Sequence, residues 1–166
     1  MITIISATNR KKSVSKKVSR EYQRLLSIRE TESVVLFLDE VDMSARNESF
    51  IKVENSILQT ADKFIIVSPE YNGSYPGILK LMIDNTDVSR VWWHKKVLLT
   101  GVSTGRAGNL RGMEHLTGCL LHMKMIVHPN RLPISLIDTL LDENDMFIDH
   151  RTLTAVNNQL EEFLHF

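Results

Sequence analysis

The segment Ser6–Ser15, which reads SATNRKKSVS, combines hydroxyl, amide and basic side chains directly after the apolar run Ile2–Ile5. Hydroxyl and backbone N–H groups at the start of a helix can bind a compact phosphate monoester, because the helix dipole favours negative charge there. Arg10 can add a charge-assisted hydrogen bond. We therefore predict a phosphate site in this segment. Its candidate residues are Ser6, Thr8, Asn9, Arg10, Ser13 and Ser15.

Two common nucleotide sites are excluded by the same segment. A dinucleotide-binding fold carries G-x-G-x-x-G after its first strand, and a Walker site carries G-K-[ST], whereas Ser6–Ser15 contains no glycine. A structural alternative is that Ser13 or Ser15 only caps the following helix. Capping accounts for one hydroxyl, and the segment carries four together with an asparagine. Phosphate binding is the interpretation we favour.

The second polar segment, Ser68–Gly77, reads SPEYNGSYPG and follows the apolar run Phe64–Val67. Pro69 favours an extended conformation at the residue before it, and the pair Asn72–Gly73 favours a turn with positive φ. Pro76 suits the start of a helix, where its missing N–H costs nothing. We expect this segment to leave the sheet in a fixed shape with few internal hydrogen bonds. Its backbone donors and acceptors would then be available to the edge of a flat heterocycle.

The third polar segment, Ser103–Gly112, reads STGRAGNLRG and follows the run Val97–Val102. Its three glycines make the backbone permissive, and Arg106 and Arg111 supply positive charge. One interpretation is a flexible loop with surface arginines. The interpretation we favour is a wall of the same site, in which one of the two arginines attracts the phosphates of a nucleotide. The sequence does not decide which arginine does so.

The elements that position these segments are short, nearly continuous apolar runs, which is typical of strands buried on both faces of a parallel sheet. Stretches with helical spacing lie between them, so the pattern predicts an α/β fold with a doubly wound, five-stranded parallel sheet and helices on both faces. In such a sheet, ligands bind beyond the carboxyl ends of the strands. The predicted strands are Ile2–Ile5, Val34–Leu38, Phe64–Val67, Val97–Val102 and the short Met125–Val127.

Composition suits one domain over residues 1–166, with 43% hydrophobic and 24% charged residues. Basic and acidic residues number 20 each, which argues against a nucleic-acid binder and against an acidic electron carrier. The single cysteine, Cys119, excludes an intrachain disulfide. No apolar run approaches the roughly 20 residues of a membrane span, and the first residues do not form a signal peptide. We expect a cytoplasmic protein.

The stretch Pro69–Lys80 fits the pattern P-E-Y-N-x-S-x-P-x-x-L-K. This pattern resembles the signature of the NADPH-dependent FMN reductase family, which has a flavodoxin-like fold and includes quinone, azo-dye and chromate reductases. The resemblance extends over most of the chain. The family often continues L-K-N-x-I-D, and here Leu81 takes the place of the asparagine.

The resemblance implies a noncovalent FMN cofactor and NADPH as cosubstrate. In the family, the first segment binds the FMN phosphate, the P-E-Y-N segment contacts the isoalloxazine ring, and the glycine-rich loop lies beside that ring. The predicted cofactor-binding residues are Ser6, Thr8, Asn9, Arg10, Ser13, Val14 and Ser15 in the first segment, Pro69, Glu70, Tyr71, Asn72 and Gly73 in the second, and Ser103, Thr104, Gly105 and Arg106 in the third.

The function implied is an FMN-dependent oxidoreductase that passes hydride from NADPH to the flavin and electrons to a small-molecule acceptor. That acceptor would be a quinone, an azo compound, a metal ion or free flavin, and the protein would be a homodimer or homotetramer. Because the flavin carries the chemistry, we name no catalytic acid or base. The backbone N–H groups of Glu70–Gly73 are expected to stabilise charge on the reduced ring. The side-chain roles of Glu70 and Tyr71 stay open.

Two other functions fit the same fold. One is a non-enzymatic flavoprotein, either an electron carrier or a redox-responsive binding protein, and the other is a phosphate-site domain that has lost its flavin. The zero net charge and the glycine-rich third segment favour the reductase over the carrier. No metal site is expected, because His115 and His122 have no third ligand near them in the sequence.

Overall fold

Six strand segments occupy five positions in one parallel sheet of the computed structural model, which describes residues 1–166. The order is β2-β1-β3-β4-β5, and β6 also pairs with β4. The predicted doubly wound parallel sheet is confirmed. The segments are β1 (Ile2–Ser6), β2 (Ser33–Phe37), β3 (Lys63–Pro69), β4 (Lys96–Val102), β5 (Ile126–Val127) and β6 (Leu132–Ile134).

The fifth strand position differs from the prediction, which placed one short strand at Met125–Val127. In the structure, β5 pairs with the start of β4, the chain then leaves the ladder, and β6 pairs with Thr100–Val102. Pro129 lies in this interruption and has no N–H to donate to a ladder. The ladder resumes at Leu132, and the sequence pattern did not reveal β6.

Helices cover both faces of the sheet, and none of them is both long and apolar enough to span a bilayer. The second helix continues without a break through a π-helical turn at Glu54–Leu58. The helices are α1 (Val14–Ile28), α2 (Glu48–Val53), α3 (Gly77–Asn85), α4 (Val88–Val91), α5 (Leu110–His122) and α6 (His150–His165), with 3-10 turns at Leu38–Glu40 and Ile137–Thr139. Neither α4 nor the π-helical turn was predicted.

Two separate cores explain why the strands are continuously apolar. On one face, Ile4 and Ile65 pack with residues of α1 and α6. On the other face, Ile5 and Ile66 pack with residues of α2, α3 and α5. Alternate residues of a strand point to opposite faces, so both sets must be apolar when helices cover both faces.

The change of direction in the sheet lies between β1 and β3. From β1 the chain crosses to β2 on one side, and from β3 it crosses to β4 on the other side. Loops that leave in opposite directions open a crevice at the carboxyl ends of these two strands. The last pair between the two strands is Ser6 with Val67, so β3 runs two residues beyond β1.

The π-helical turn contains a buried carboxylate, Glu54, that forms an ion pair with the exposed Arg46. Glu54 is fully buried, and its two carboxylate oxygens accept hydrogen bonds from the Arg46 guanidinium at 2.5 and 2.7 Å. The N–H of Asp87 also donates to Glu54, at 2.9 Å. The Arg46 hydrogen bonds hold the pKa of Glu54 below its ordinary value.

This pKa predicts how folding stability depends on pH. A carboxylate whose pKa is lowered in the folded state stabilises the fold above its unfolded pKa, about 4.3, and the contribution is lost as pH falls through the folded value. We expect Glu54→Gln to be less stable than wild type in urea unfolding at neutral pH, with the gap narrowing at about pH 3. Glu48→Gln, at an exposed position on α2, is the control and should show a small gap at both pH values. A stability difference between Glu54→Gln and wild type that is independent of pH would contradict a lowered pKa for Glu54.

Candidate functional site

The loop after β1 presents unpaired backbone donors at the start of α1. Ser13 is the N-cap, and its Oγ accepts a hydrogen bond from Ser15 N at 3.3 Å and donates to Ser15 Oγ at 3.1 Å. The N–H groups of Lys11, Lys12 and Val14 donate to no acceptor in the protein. Free N–H groups at the start of a 15-residue helix favour an anion.

The loop after β3 begins with a tight two-residue turn. Tyr71 and Ser74 exchange two backbone hydrogen bonds of 2.9 and 3.1 Å. Between them, Asn72 and Gly73 have φ values of 51° and 74°, which confirms the predicted positive-φ turn. This is the geometry of a type I′ turn, which requires φ > 0 at both central residues.

The expectation that this loop makes few internal hydrogen bonds is wrong in part. Glu70 N donates to Val102 O at 3.0 Å, and Tyr71 N donates to Ser74 O. A β-ladder and a tight turn both need these donors, so they are not available to a ligand. Of the four N–H groups in Glu70–Gly73, only those of Asn72 and Gly73 have no acceptor in the protein.

The side chains of Glu70 and Tyr71 connect this loop to its two neighbours. Tyr71 Oη and Thr8 Oγ1 share a hydrogen bond of 2.7 Å, and the Arg10 guanidinium lies 4.4 Å from the centre of the Tyr71 ring. Glu70 Oε2 accepts a hydrogen bond of 3.2 Å from Asn109 N. Each side chain therefore links the central loop to a different neighbour.

The loop after β4 is ordered by Ser103. Its N–H donates to Ile134 O at 3.0 Å, and its Oγ donates to Gly105 O at 2.8 Å while accepting from Gly108 N at 2.9 Å. Gly108 has a φ of 56°, and a Cβ built there would lie 2.7 Å from Pro133. The glycine is thus required for close approach to β6, and hydrogen bonds of Ser103 connect the two ends of the loop.

Two cavities lie along this edge of the sheet and share Glu70, Ser103 and Thr104. The first has a volume of about 190 Å³ and the second about 290 Å³. The first is lined by Arg10, Lys12, Ser13, Val14, Ser15, Pro69, Glu70, Tyr71, Val102, Ser103, Thr104 and Ile137. The second is lined by Glu70, Asn72, Gly73, Ser103, Thr104, Gly105, Arg106 and Ala107.

Most of the predicted cofactor-binding residues therefore line one of these two cavities, but Ser6, Thr8 and Asn9 do not. Ser6 and Thr8 are buried, and the Ser6 hydroxyl has no hydrogen-bond partner. Asn9 is exposed. The sequence pattern missed Ile137, which reaches the first cavity from the loop after β6 and carries no polar signal.

The edge carries an excess of positive charge, although the chain as a whole is neutral, and the one carboxylate that lines its cavities, Glu70, forms no ion pair. Arg10, Lys11, Lys12, Arg106 and Arg111 are all exposed and form no ion pair. This charge suits phosphate-bearing ligands.

Other polar groups near this edge are engaged within the protein. Lys16, in the first turn of α1, lies 2.9 Å from carboxylate oxygens of both Asp39 and Glu40. His115 Nδ1 shares a hydrogen bond of 3.0 Å with Ser74 Oγ. No group of three or more His, Cys, Asp or Glu residues is arranged to hold a metal ion.

Comparison with known proteins relates the chain to one family. Residues 1–137 match the family described as NADPH-dependent FMN reductase. An NAD(P)H-dependent FMN reductase of Pseudomonas aeruginosa is 29% identical over 109 residues, which is 63% of this chain and 58% of that protein. A 2-hydroxy-1,4-benzoquinone reductase of a Burkholderia species is 30% identical over 93 residues, 54% of this chain and 44% of that protein. The chain thus spans about half the length of these curated relatives.

Solved structures support the fold. The flavoenzyme NAD(P)H:(acceptor) oxidoreductase FerB from Paracoccus denitrificans superposes with a TM-score of 0.83 at 22% identity, covering 99% of this chain and 94% of that chain. At this level of identity the likeness shows a shared fold.

The link between Tyr71 and Thr8 yields a test. Tyr71→Phe removes one hydrogen bond, worth about 1 kcal/mol, that holds the first and second loops together before FMN binds. We expect FMN to bind at most about fivefold more weakly, because binding must then order these loops. Tyr75→Phe is the matched control, since Tyr75 hydrogen-bonds Cys119 at 3.2 Å on the other side of the turn. Its FMN affinity should equal that of wild type. Fluorescence titration measures the FMN affinity of wild type and both variants. Equal affinities in all three proteins would contradict a role for the Tyr71–Thr8 hydrogen bond in FMN binding.

Proposed function

Because the chain belongs to the NADPH-dependent FMN reductase family, we propose that it is an FMN-dependent oxidoreductase that takes electrons from NADPH and delivers them to a quinone. One observation carries the proposal: an anion-binding helix start, a rigid turn with free N–H groups and a basic glycine-rich wall meet at one edge of the sheet. A homodimer or homotetramer and a cytoplasmic location stay predictions.

The first loop suits the FMN phosphate. The free N–H groups of Lys11, Lys12 and Val14 and the hydroxyl of Ser15 offer donors to one anion, and the Ser13 hydroxyl can join them by giving up its hydrogen bond to Ser15 Oγ. The positive end of α1 adds an attractive field. These groups are the ones we propose to hold the phosphate.

The turn after β3 suits the edge of the flavin ring. Asn72 and Gly73 line the second cavity, and their N–H groups are free. Their positions are set by the turn before any ligand binds, so no donor needs to be reordered when negative charge develops on the ring. Preorganised donors of this kind stabilise charge better than mobile ones.

When bound, FMN would supply the redox chemistry, which is hydride uptake from NADPH and transfer of two electrons to the quinone; the quinone would take up two protons to become the quinol. The protein residues bind and orient the cofactor, and none is assigned as a general acid or base. The exposed arginines Arg106 and Arg111 are proposed to attract the NADPH phosphates. A quinone is the acceptor we propose because one curated relative is named a 2-hydroxy-1,4-benzoquinone reductase.

The direct test is the visible spectrum of the protein after loading with FMN, followed by anaerobic mixing with NADPH. We expect the flavin absorption to bleach and to return when a benzoquinone is added. Bound flavin that NADPH cannot reduce would contradict the proposed enzyme and would favour a non-enzymatic flavoprotein. A protein that retains no FMN would favour a domain without a flavin.

The phosphate site has a test of its own. Ser13→Asp keeps a good N-cap for α1 but places a negative charge beside the proposed phosphate. We expect FMN to dissociate at least about tenfold more readily because like charges repel. Ser27→Asp, exposed near the other end of α1, is the control. Equal FMN retention by both variants would remove Ser13 from the proposed site.

A further inference from the structure

Asn109 lies where the loop after β4 meets the end of β3, and the proposed function leaves it without a role. The residue is fully buried and has a φ of 60°, in the left-handed region that non-glycine residues seldom adopt. It occupies the N-cap position of α5, yet its side chain makes no capping hydrogen bond. The amide must therefore serve another part of the structure.

That part is the end of β3. Asn109 Nδ2 donates to the carbonyl oxygens of Ser68 and Pro69 at 2.9 and 3.0 Å. Nδ2 also lies 3.2 Å from Ser68 Oγ, and Asn109 N donates to Glu70 Oε2 at 3.2 Å. One residue thus binds three consecutive residues, and they lead directly into the turn Tyr71–Ser74.

The end of β3 needs such support because one of its neighbours is missing. Ser68 and Pro69 pair with Gly101 and Val102 of β4, but β1 ends opposite Val67. The Asn109 amide supplies hydrogen bonds to the carbonyls of this one-sided segment. Without it, the stem of the turn would be held by β4 alone.

Two glycines, Gly101 and Gly112, leave room for Asn109. A Cβ on Gly101 would lie 3.1 Å from Asn109 Cβ, and a Cβ on Gly112 would overlap Asn109 Oδ1. Oδ1 itself is buried without a hydrogen-bond partner. The unpaired buried acceptor opposes stability, whereas asparagine adopts the left-handed region more readily than most non-glycine residues, so the cost of this arrangement lies mainly at Oδ1.

We propose that Asn109 is a positioning residue for the flavin. By holding Ser68–Glu70, it keeps the N–H groups of Asn72 and Gly73 in the geometry that favours the reduced ring over the oxidised ring. Asn109 acts through the loop and touches no reacting atom. The proposal rests on the proposed function only in taking FMN as the ligand.

The test is Asn109→Gly, which keeps the left-handed backbone and the N–H to Glu70 but removes the amide donors. We expect reduced FMN to lose more affinity than oxidised FMN. The dissociation constant of reduced FMN, divided by that of oxidised FMN, should rise by about threefold to tenfold. This change lowers the potential of the two-electron couple by about 14 to 30 mV. The readouts are a dithionite titration against a reference dye and the position of the flavin absorption bands.

Glu30→Gly is the matched control. Glu30 also has a left-handed φ, 53°, but it is exposed at the end of α1, away from the site. Its flavin potential and spectrum should equal those of wild type. If Asn109→Gly does not fold, Asn109→Ala is measured instead, because it keeps Cβ and the N–H to Glu70 and removes the two amide N–H donors.

Two results for the variants would overturn the proposal. One is a wild-type potential in the folded variant, whether its affinity for the two redox states is unchanged or equally reduced, and the other is failure of both variants to fold. An equal reduction, or failure of both variants to fold, would make Asn109 a purely structural residue. Because dithionite replaces NADPH in this experiment, Asn109 can shift the flavin potential even if NADPH does not reduce the flavin. If the wild-type protein does not bind FMN, both the proposed function and the proposed role of Asn109 are contradicted.

Discussion

The turn Tyr71–Ser74 must hold its shape at the end of β3, a strand that extends beyond its neighbour β1. β3 extends two residues beyond β1, so the backbone just before the turn lacks a strand on one side. Bonds from three directions compensate: Tyr71 with Thr8, Glu70 with Asn109, and the two backbone bonds that close the turn. The free N–H groups of the turn can be preorganised donors only if these bonds persist without a ligand.

Charged side chains in the interior differ from those at the carboxyl edge of the sheet. The chain is neutral overall, and buried charged groups such as Lys16 and Glu54 are paired within the protein. Five of the basic side chains without an ion pair, Arg10, Lys11, Lys12, Arg106 and Arg111, lie at the carboxyl edge of the sheet, on the loop after β1, the loop after β4 and the start of α5. A neutral protein can therefore present a basic edge to phosphate groups, and the net charge does not report it.

The sequence predicted the parts of the structure that depend on local chemistry. Continuous apolar runs predicted strands covered on both faces, and the pair Asn72–Gly73 predicted a turn with positive φ because few other residues adopt that conformation. The parts that depend on tertiary pairing were not predictable. The sequence does not show that the N–H groups of Glu70 and Tyr71 are used within the fold, since their acceptors lie on Val102 and Ser74.

Other unpredicted features have the same origin. β6 resumes a ladder interrupted at a proline, and Ile137 reaches the first cavity because that ladder places it there. Asn109 did carry a signal, an asparagine directly after a glycine in a loop, but its partners could be identified only from the fold.

The central claim is that the turn is formed before the cofactor binds and that its two free N–H groups serve the flavin. Residue-resolved hydrogen exchange, measured with and without FMN, tests this most directly. The account predicts slow exchange at Glu70, Tyr71 and Ser74 in both states, and exchange at Asn72 and Gly73 that slows only when FMN is present. Fast exchange at the first three residues without FMN, or no response of Asn72 and Gly73 to FMN, would contradict it.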